Sequence, residues 1–305
     1  MSEVTCQDFF CSQLSLEANE QLFGTASKTD VWFLLEYTDT WAAKAFNSSK
    51  LPESVKERLS YYTDSIPDSR IQLIKQSSHL TSPINFYIGI SHEQNPLLYQ
   101  FQLERYEDLL RLNISDILEG GSKYKSFVVE EPLFLVCTNG NRDKCCAKYG
   151  LRVYREMLKL DGSSVWQCTH IGGHRFAANV LCFPHGIYYG RIRDNEISAL
   201  MEEYTKGRVY LEGYRGRSCY PPHVQAADYF LRTETGVREI SAFHLSEIKN
   251  VAQDSWIVKF FDTDSGKIHL AHISLEKSAF KNHLSCMDDD KSDVDQYHLQ
   301  KLESL

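Results

Sequence analysis

Two cysteines and two histidines carry most of the chemistry this chain can offer. Cys137 and Cys146 bracket the polar stretch "TNGNRDKC", and His170 and His174 stand four apart in "THIGGHRFAANV". Thiolates and imidazoles are ligands for zinc, copper or an iron–sulfur centre, and poor ones for magnesium or calcium. Two histidines four apart would share one face of a helix. Gly172 and Gly173 between them oppose a helix, each at about 1 kcal/mol relative to alanine. The segment therefore reads as a tight loop whose backbone bends closely around something the rings hold. Structural zinc sites usually pair cysteines as C-x2–4-C and place finger histidines on a helix. The wide cysteine spacing and the glycine-bent histidine segment suit a larger object, such as a two-iron rhomb that backbone amides can approach.

Those four residues need strands to hold them. "PLFLVC" reads as a short apolar strand ending at Cys137, residues 147–160 have helical spacing, and "SVWQCTH" is a strand leading into the glycine loop. "NVLCF", the turn "PHG" and "IYYGRI" form a hairpin. A helix follows, with Asp194 as its N-cap, a stripe of Ile197, Leu200, Met201 and Tyr204, and Gly207 at its C-terminus. This β-α-β-β-β-α order is thioredoxin-like. It places Cys137 and the histidine loop at the ends of strands that can share one sheet edge.

The first third repeats the pattern. "VWFLLEY" (31–37) and "RIQLIKQ" (70–76) are strands around the helical "PESVKERLSYY", 85–91 and 97–104 form a hairpin, and 106–118 is a helix. The expected fold class is α/β: a thioredoxin-like domain carrying the cysteine–histidine motif, preceded by a second, degenerate thioredoxin-like domain, with a C-terminal helix and β-hairpin extension. The expected division is 1–126, 127–235, an extension at 236–286 and a mobile acidic tail at 287–305. The extension's hairpin, "WIVKFFDTDSGKIHLAHISLE", turns at Asp264–Gly266.

The spacing C-x8-C followed by H-x-G-G-H resembles the sucrase/ferredoxin-like family, a branch of the thioredoxin-like ferredoxins. "CTNGNRDKCCA" and "VWQCTHIGGHRFAANVLCFPHGIYYGRI" match its pattern, as do "LFGTA" (22–26) and "YRGRS" (214–218), so the resemblance covers most of residues 5 to 235. It implies an electron-transfer protein whose [2Fe–2S] cluster is held by Cys137, Cys146, His170 and His174. Gly172 and Gly173 would bring the main chain against it. Cys145 stands beside Cys146 as the alternative ligand; Cys146 preserves the eight-residue spacing. By analogy with Rieske centres, the cysteines would bind one iron and the histidines the other. Replacing two thiolates by neutral imidazoles eases electron uptake, toward the range of about −150 to +300 mV rather than about −400 mV. Imidazole ligands also carry a second nitrogen that exchanges protons, so the potential should depend on pH.

The other sulfur and imidazole groups have plainer readings. Cys168, Cys182, Cys219 and Cys286 read as core residues, and Cys6 and Cys11 as unpaired thiols rather than a redox pair. His185 reads as an exposed turn residue. His269 and His272, three apart on a strand, point to opposite faces. Arg142, Lys144 and Arg175 flank the ligand loops, either as solvated groups or as a basic collar for an acidic redox partner. Two alternatives to the electron carrier remain. One is a zinc-stabilised binding module, and the other a thiol-dependent oxidoreductase using Cys145 or Cys146, although the C-x-x-C of that chemistry is missing. No carboxylate pair stands out for glycoside hydrolysis.

Bulk composition narrows the setting. Hydrophobic residues make up 42% of 305 residues and aromatics 12%, enough for real cores. A net charge of −8 argues against nucleic acid or an anionic membrane as a general partner. The apolar runs are far shorter than the roughly 20 residues of a membrane span. "MSEVTCQDFF" has neither a basic nor an apolar signal region, and nine cysteines is an odd number for a disulfide scaffold, so a reducing cytoplasm is the expected location.

Overall fold

The computed structural model of the chain describes residues 9–76 and 82–305, so Cys6 lies outside the described residues. A short helix, α1 (Cys11–Glu17), precedes β1 (Val31–Glu36), α2 (Glu53–Ser65), β2 (Ser69–Lys75), the hairpin β3 (Ile84–Ile90) and β4 (Leu97–Leu103), and α3 (Ile114–Leu118). β1 pairs parallel with β2 and antiparallel with β3, which pairs antiparallel with β4. The second half repeats this order with β5 (Leu133–Cys137), α4 (Leu151–Leu160), β6 (Val165–Cys168), β7 (Val180–Phe183), β8 (Ile187–Tyr189) and α5 (Ile197–Thr205). β5 is parallel to β6 and antiparallel to β7, and β7 is antiparallel to β8. Both halves thus have the thioredoxin-like arrangement expected of them.

The halves join edge to edge. β2 and β6 pair antiparallel through Ile74↔Cys168 and Lys75↔Gln167. With β9 (Tyr214–Arg217) added at one end, the result is one nine-stranded sheet, β4-β3-β1-β2-β6-β5-β7-β8-β9. Strand alternation divides its core. Val31, Phe33 and Leu35 of β1 pack with Val55 and Leu59 of α2, and Phe134 and Val136 of β5 pack with α4 and α5. The other faces of both strands, with Trp32, Leu34, Leu135 and Cys137, share a single cluster with Trp166 and Cys168. The sheet curls around that cluster until Trp32 of β1 meets Phe183 of β7, ring centroids 5.4 Å apart and nearly perpendicular. Removing a side chain as buried as Trp32 would cost about 3–5 kcal/mol. Cys137 is therefore held by the same core that welds the two halves.

Three local expectations need correction. The helix expected over 106–118 is a 3-10 segment, Tyr106–Arg111, and then α3. Asn113 divides them because its side chain accepts from the Asp116 amide and caps a new helix. Asp194 does not cap α5: a single 3-10 turn, Asp194–Glu196, intervenes, and the Asp194 carboxylate pairs with Arg152 instead. The acidic tail is ordered. After α6 (Pro222–Thr235), the strands β10 (Phe243–Ala252), β11 (Ser255–Asp262), β12 (Ile268–Asn282) and β13 (Ser292–Ser304) form a second, four-stranded sheet. β13 lies in the supposed tail. Its Val294 and Tyr297 are buried, and its Asp293 and Asp295 face Lys281 and Lys277 of β12. Partners on the opposite strand neutralise charges that look disordering when read alone. The hairpin of β11 and β12 forms as expected, with Gly266 in the left-handed region.

Among the described residues, no helix is long and apolar enough to cross a membrane.

Candidate metal centre

β5 and β6 run parallel with Cys137 opposite Cys168, so their connecting loops open at the same edge, where α/β sheets place their ligands. Cys137 is the last residue of β5. The chain loops out over residues 138–145 and re-enters through one π-helical turn, Cys146–Gly150, before α4. Isolated π turns recur at functional sites. The Cys137 and Cys146 sulfurs and a His170 ring nitrogen all lie within 4.8 Å of one another. Cys137 Sγ is 3.9 Å from His170 Nδ1. The His174 ring stacks on that of His170, with centroids 3.9 Å apart and planes 15° from parallel. Three donors thus meet in one place with His174 stacked against the third, and Cys146, rather than Cys145, is the cysteine turned toward Cys137. Gly150 permits the close return of the chain, since a Cβ there would stand 2.0 Å from the Cys137 carbonyl oxygen.

The histidine segment is the expected tight loop, with Gly172 at φ +100° and Gly173 at φ +72°, followed by a single 3-10 turn at His174–Phe176. Its carbonyls from His170 to Gly173 are each held by a side chain. His170 O accepts from Arg70 Nη2 at 2.8 Å, Ile171 O from the Tyr188 hydroxyl at 3.2 Å, and Gly172 O from Arg215 Nη1 at 3.1 Å. Gly173 O accepts from Asn179 Nδ2 at 2.8 Å. Arg215 is fully buried and also donates to Thr25 Oγ1 and to Asn179 Oδ1, at 3.0 and 2.8 Å. Thr25 belongs to "LFGTA" and Arg215 to "YRGRS", two segments that carried a resemblance but no role. Their role is to clamp the histidine loop.

Electrostatics favour metal donors. The hydrogen bond with Cys146 holds the Cys137 thiol well below its ordinary range, helped by His170 and the Ile171 amide against the effect of burial. Cys146 moves the opposite way, pushed up by the same hydrogen bond and by burial. Burial first, and then the charge on His170, pull His174 down to about 4. Its imidazole is therefore neutral at neutral pH, and its buried Nδ1 has no hydrogen-bond partner. A neutral ring nitrogen without a partner, set beside two thiols and a second imidazole, is the donor set of a soft or borderline transition metal.

The remaining candidates sort differently. Cys168 and Cys182 are core residues, as expected. His185 is not an exposed turn residue: its Nδ1 lies 2.9 Å from the Tyr204 hydroxyl, and burial draws its pKa down to about 4. Arg175 leaves the collar, because it pairs at 2.5 Å with the buried Glu20. Lys144 stands over the rings of Phe9 and Phe10. Arg142 does remain beside the site, where it lines a cleft of about 370 Å³ with Lys44, Arg70 and His170. Cys145 faces away, toward Cys11 and Cys286. Sequence reading missed that grouping, as it missed Arg215 and Gly150. Only the adjacency of Asp143, Cys145 and Cys146 hinted at it.

Fold and site together define a doubled thioredoxin-like α/β protein with a buried cysteine–histidine site suited to metal. The sucrase/ferredoxin-like family model matches residues 22–216, more than half of the chain, and the chain belongs to that family. Altered inheritance of mitochondria protein 32 from Meyerozyma guilliermondii is 28% identical over 135 residues, which is 41% of this chain and 46% of the relative. The protein of the same name from Debaryomyces hansenii is 32% identical over 104 residues, 30% of this chain and 38% of the relative. The chain thus spans less than half the length of these relatives. A solved thioredoxin-like [2Fe–2S] ferredoxin from Aquifex aeolicus aligns over 30% of this chain and 97% of its own, at 12% identity and a TM-score of 0.27.

Proposed function

We propose that this protein is an electron carrier whose [2Fe–2S] cluster is held by Cys137 and Cys146 on one iron and by His170 and His174 on the other. The observation that supports the reading is that Cys137, Cys146 and His170, from two separate strand ends, lie within 4.8 Å of one another, with the His174 ring stacked on that of His170. When bound, such a cluster accepts and returns one electron. The chain's own residues shape how that happens. Cys137, Cys146 and His174 are buried, whereas the His170 ring borders the cleft with Lys44, Arg70 and Arg142. Electrons would pass through the His170 side, and the three cations would steer an acidic redox protein onto it. The donor and acceptor would be proteins rather than nucleic acid. All eight described cysteines are free, which supports a reducing cytoplasm as the location.

A second reading places one zinc ion at Cys137, Cys146 and His170, favoured by the mutual closeness of those three donors. Dithiol chemistry at Cys145 and Cys146 is less well supported, since both are buried and they face different groups. Iron and acid-labile sulfide analysis of anaerobically purified protein separates these readings. Equal amounts of iron and sulfide, both lost in Cys146→Ala and His170→Ala, support the cluster. A colourless, sulfide-free protein containing zinc at these residues overturns it.

A further inference from the structure

On the far side of the 138–145 loop lies a second buried group that the cluster does not use. Cys11 comes from α1, Cys145 from the loop, and Cys286 from the connection between β12 and β13. Their sulfurs form a triangle with edges of 3.6 Å (Cys11–Cys145), 3.3 Å (Cys145–Cys286) and 3.5 Å (Cys286–Cys11). The Asp143 carboxylate closes it from the fourth side, 3.8 Å from Cys11 Sγ through Oδ2. All four residues are buried, and all four donor atoms lie within 4.8 Å of one another. We propose that Cys11, Cys145, Cys286 and Asp143 form a second metal site, which takes a single zinc ion and ties both ends of the chain to the loop of the first site.

The geometry matches that ion. Zinc binds thiolate sulfur at about 2.3 Å in a tetrahedron, which sets neighbouring sulfurs about 3.8 Å apart. The observed edges fall just short of this, and far beyond the roughly 2.05 Å of a disulfide bond. Three thiols cannot all pair with one another in any case. Three sulfurs and one oxygen in a buried pocket fit a structural zinc site, whereas magnesium and calcium require more oxygen.

The surrounding hydrogen bonds are those of a metal's supporting shell. Asp143 accepts from the Cys145 amide at 2.8 Å, the Cys286 amide at 2.8 Å and the Ser285 hydroxyl at 2.9 Å, which fix the direction of its carboxylate. The Cys11 amide donates to Cys286 Sγ at 3.3 Å, and Ser12 Oγ donates to Cys145 Sγ at 3.2 Å. Phe10, Tyr149 and Ala177 seal the pocket. Lys148 stands over Phe10 and Tyr149 and supplies positive charge near a site with four anionic ligands. Zinc binding displaces three thiol protons to solvent and needs no oxidant.

The test uses the full chain, purified with zinc present, desalted, and assayed for zinc and iron together. The expected result is one zinc per chain in the parent protein and in His170→Ala, with zinc lost and iron retained in Cys286→Ser. Zinc that persists in Cys286→Ser, or disappears with His170→Ala, overturns the proposal. A parent protein without zinc, or with a Cys11–Cys286 disulfide found by mass spectrometry, also overturns it. If Cys286→Ser fails to fold, cobalt substitution of the parent protein decides: sulfur-to-cobalt charge transfer with tetrahedral d–d bands supports the site, and octahedral cobalt bands contradict it. The iron content reads the first site separately, so either proposal can fail alone.

Discussion

Cys145 and Cys146 are consecutive residues whose thiols turn to opposite sides of the same loop: Cys146 meets Cys137 and His170, and Cys145 meets Cys11 and Cys286. Both lie at the start of a helical turn, where successive side chains are separated by roughly 100°. One loop can therefore serve two buried pockets without a change of backbone. The two serine variants should therefore not be equivalent. Cys146→Ser should lose iron and visible absorbance while keeping zinc, and Cys145→Ser should do the reverse, as read by metal analysis of both proteins. Loss of iron from both variants alike would show that the loop acts as one site.

Arg215 holds the histidine loop through four acceptors, on Thr25, Gly172 and Asn179. Burial draws its pKa down to about 9, so it still carries a positive charge at pH 7. Arg215→Met should strand several buried acceptors and lower stability by about 3 kcal/mol, seen as a shift in the denaturant midpoint. Where the variant keeps its iron, the midpoint potential should fall, because a cation that favours the reduced state has been removed. An unchanged potential would mean that Arg215 acts on the loop alone.

His185 gives a pH dependence apart from either metal site. Burial, followed by the charge on Arg217, lowers its pKa from 6.5 to about 4. A histidine depressed in the folded state is protonated first in the unfolded chain, so its stabilising effect is complete above about pH 6.5 and is lost as the pH falls toward 4. At pH 5 the loss should be about 2 kcal/mol. The stability difference between pH 7 and pH 5 should shrink by that amount in His185→Gln, measured by chemical denaturation. An identical difference in the two proteins would refute the assignment.

Legibility in the sequence followed the range of the interactions. β1 and β5 stood out because buried strands are short apolar runs, and the repeated order of elements disclosed the doubled fold. The nearness of Cys137, Cys146 and His170 was legible because their spacings are local to two loops. β13 was hidden because its charges are answered by Lys277 and Lys281 on another strand, beyond the reach of a compositional reading. Cys286 was hidden for the same reason: 141 residues separate it from Cys145, and 275 from Cys11. His185 was hidden because its turn is local, whereas the α5 tyrosine Tyr204 that covers it lies 19 residues away.

Imidazole ligation, as proposed, would also make the midpoint potential a function of pH. Loss of the second ring proton should begin in the oxidised protein, so reduction takes a proton up. The potential should then fall as pH rises through the alkaline range, approaching about 59 mV per unit for one proton per electron. Protein-film voltammetry across neutral to alkaline pH reads this directly, and a flat line would count against histidine ligands.

Histidine ligation of the cluster is tested most directly by pulsed electron paramagnetic resonance of the chemically reduced protein, which detects nitrogen bound to iron. Strong couplings from two imidazole nitrogens are expected, with both couplings or the whole signal altered in His170→Ala and His174→Ala. A reduced iron–sulfur signal without strongly coupled nitrogen, or no paramagnetic signal at all from iron-replete protein, would contradict it.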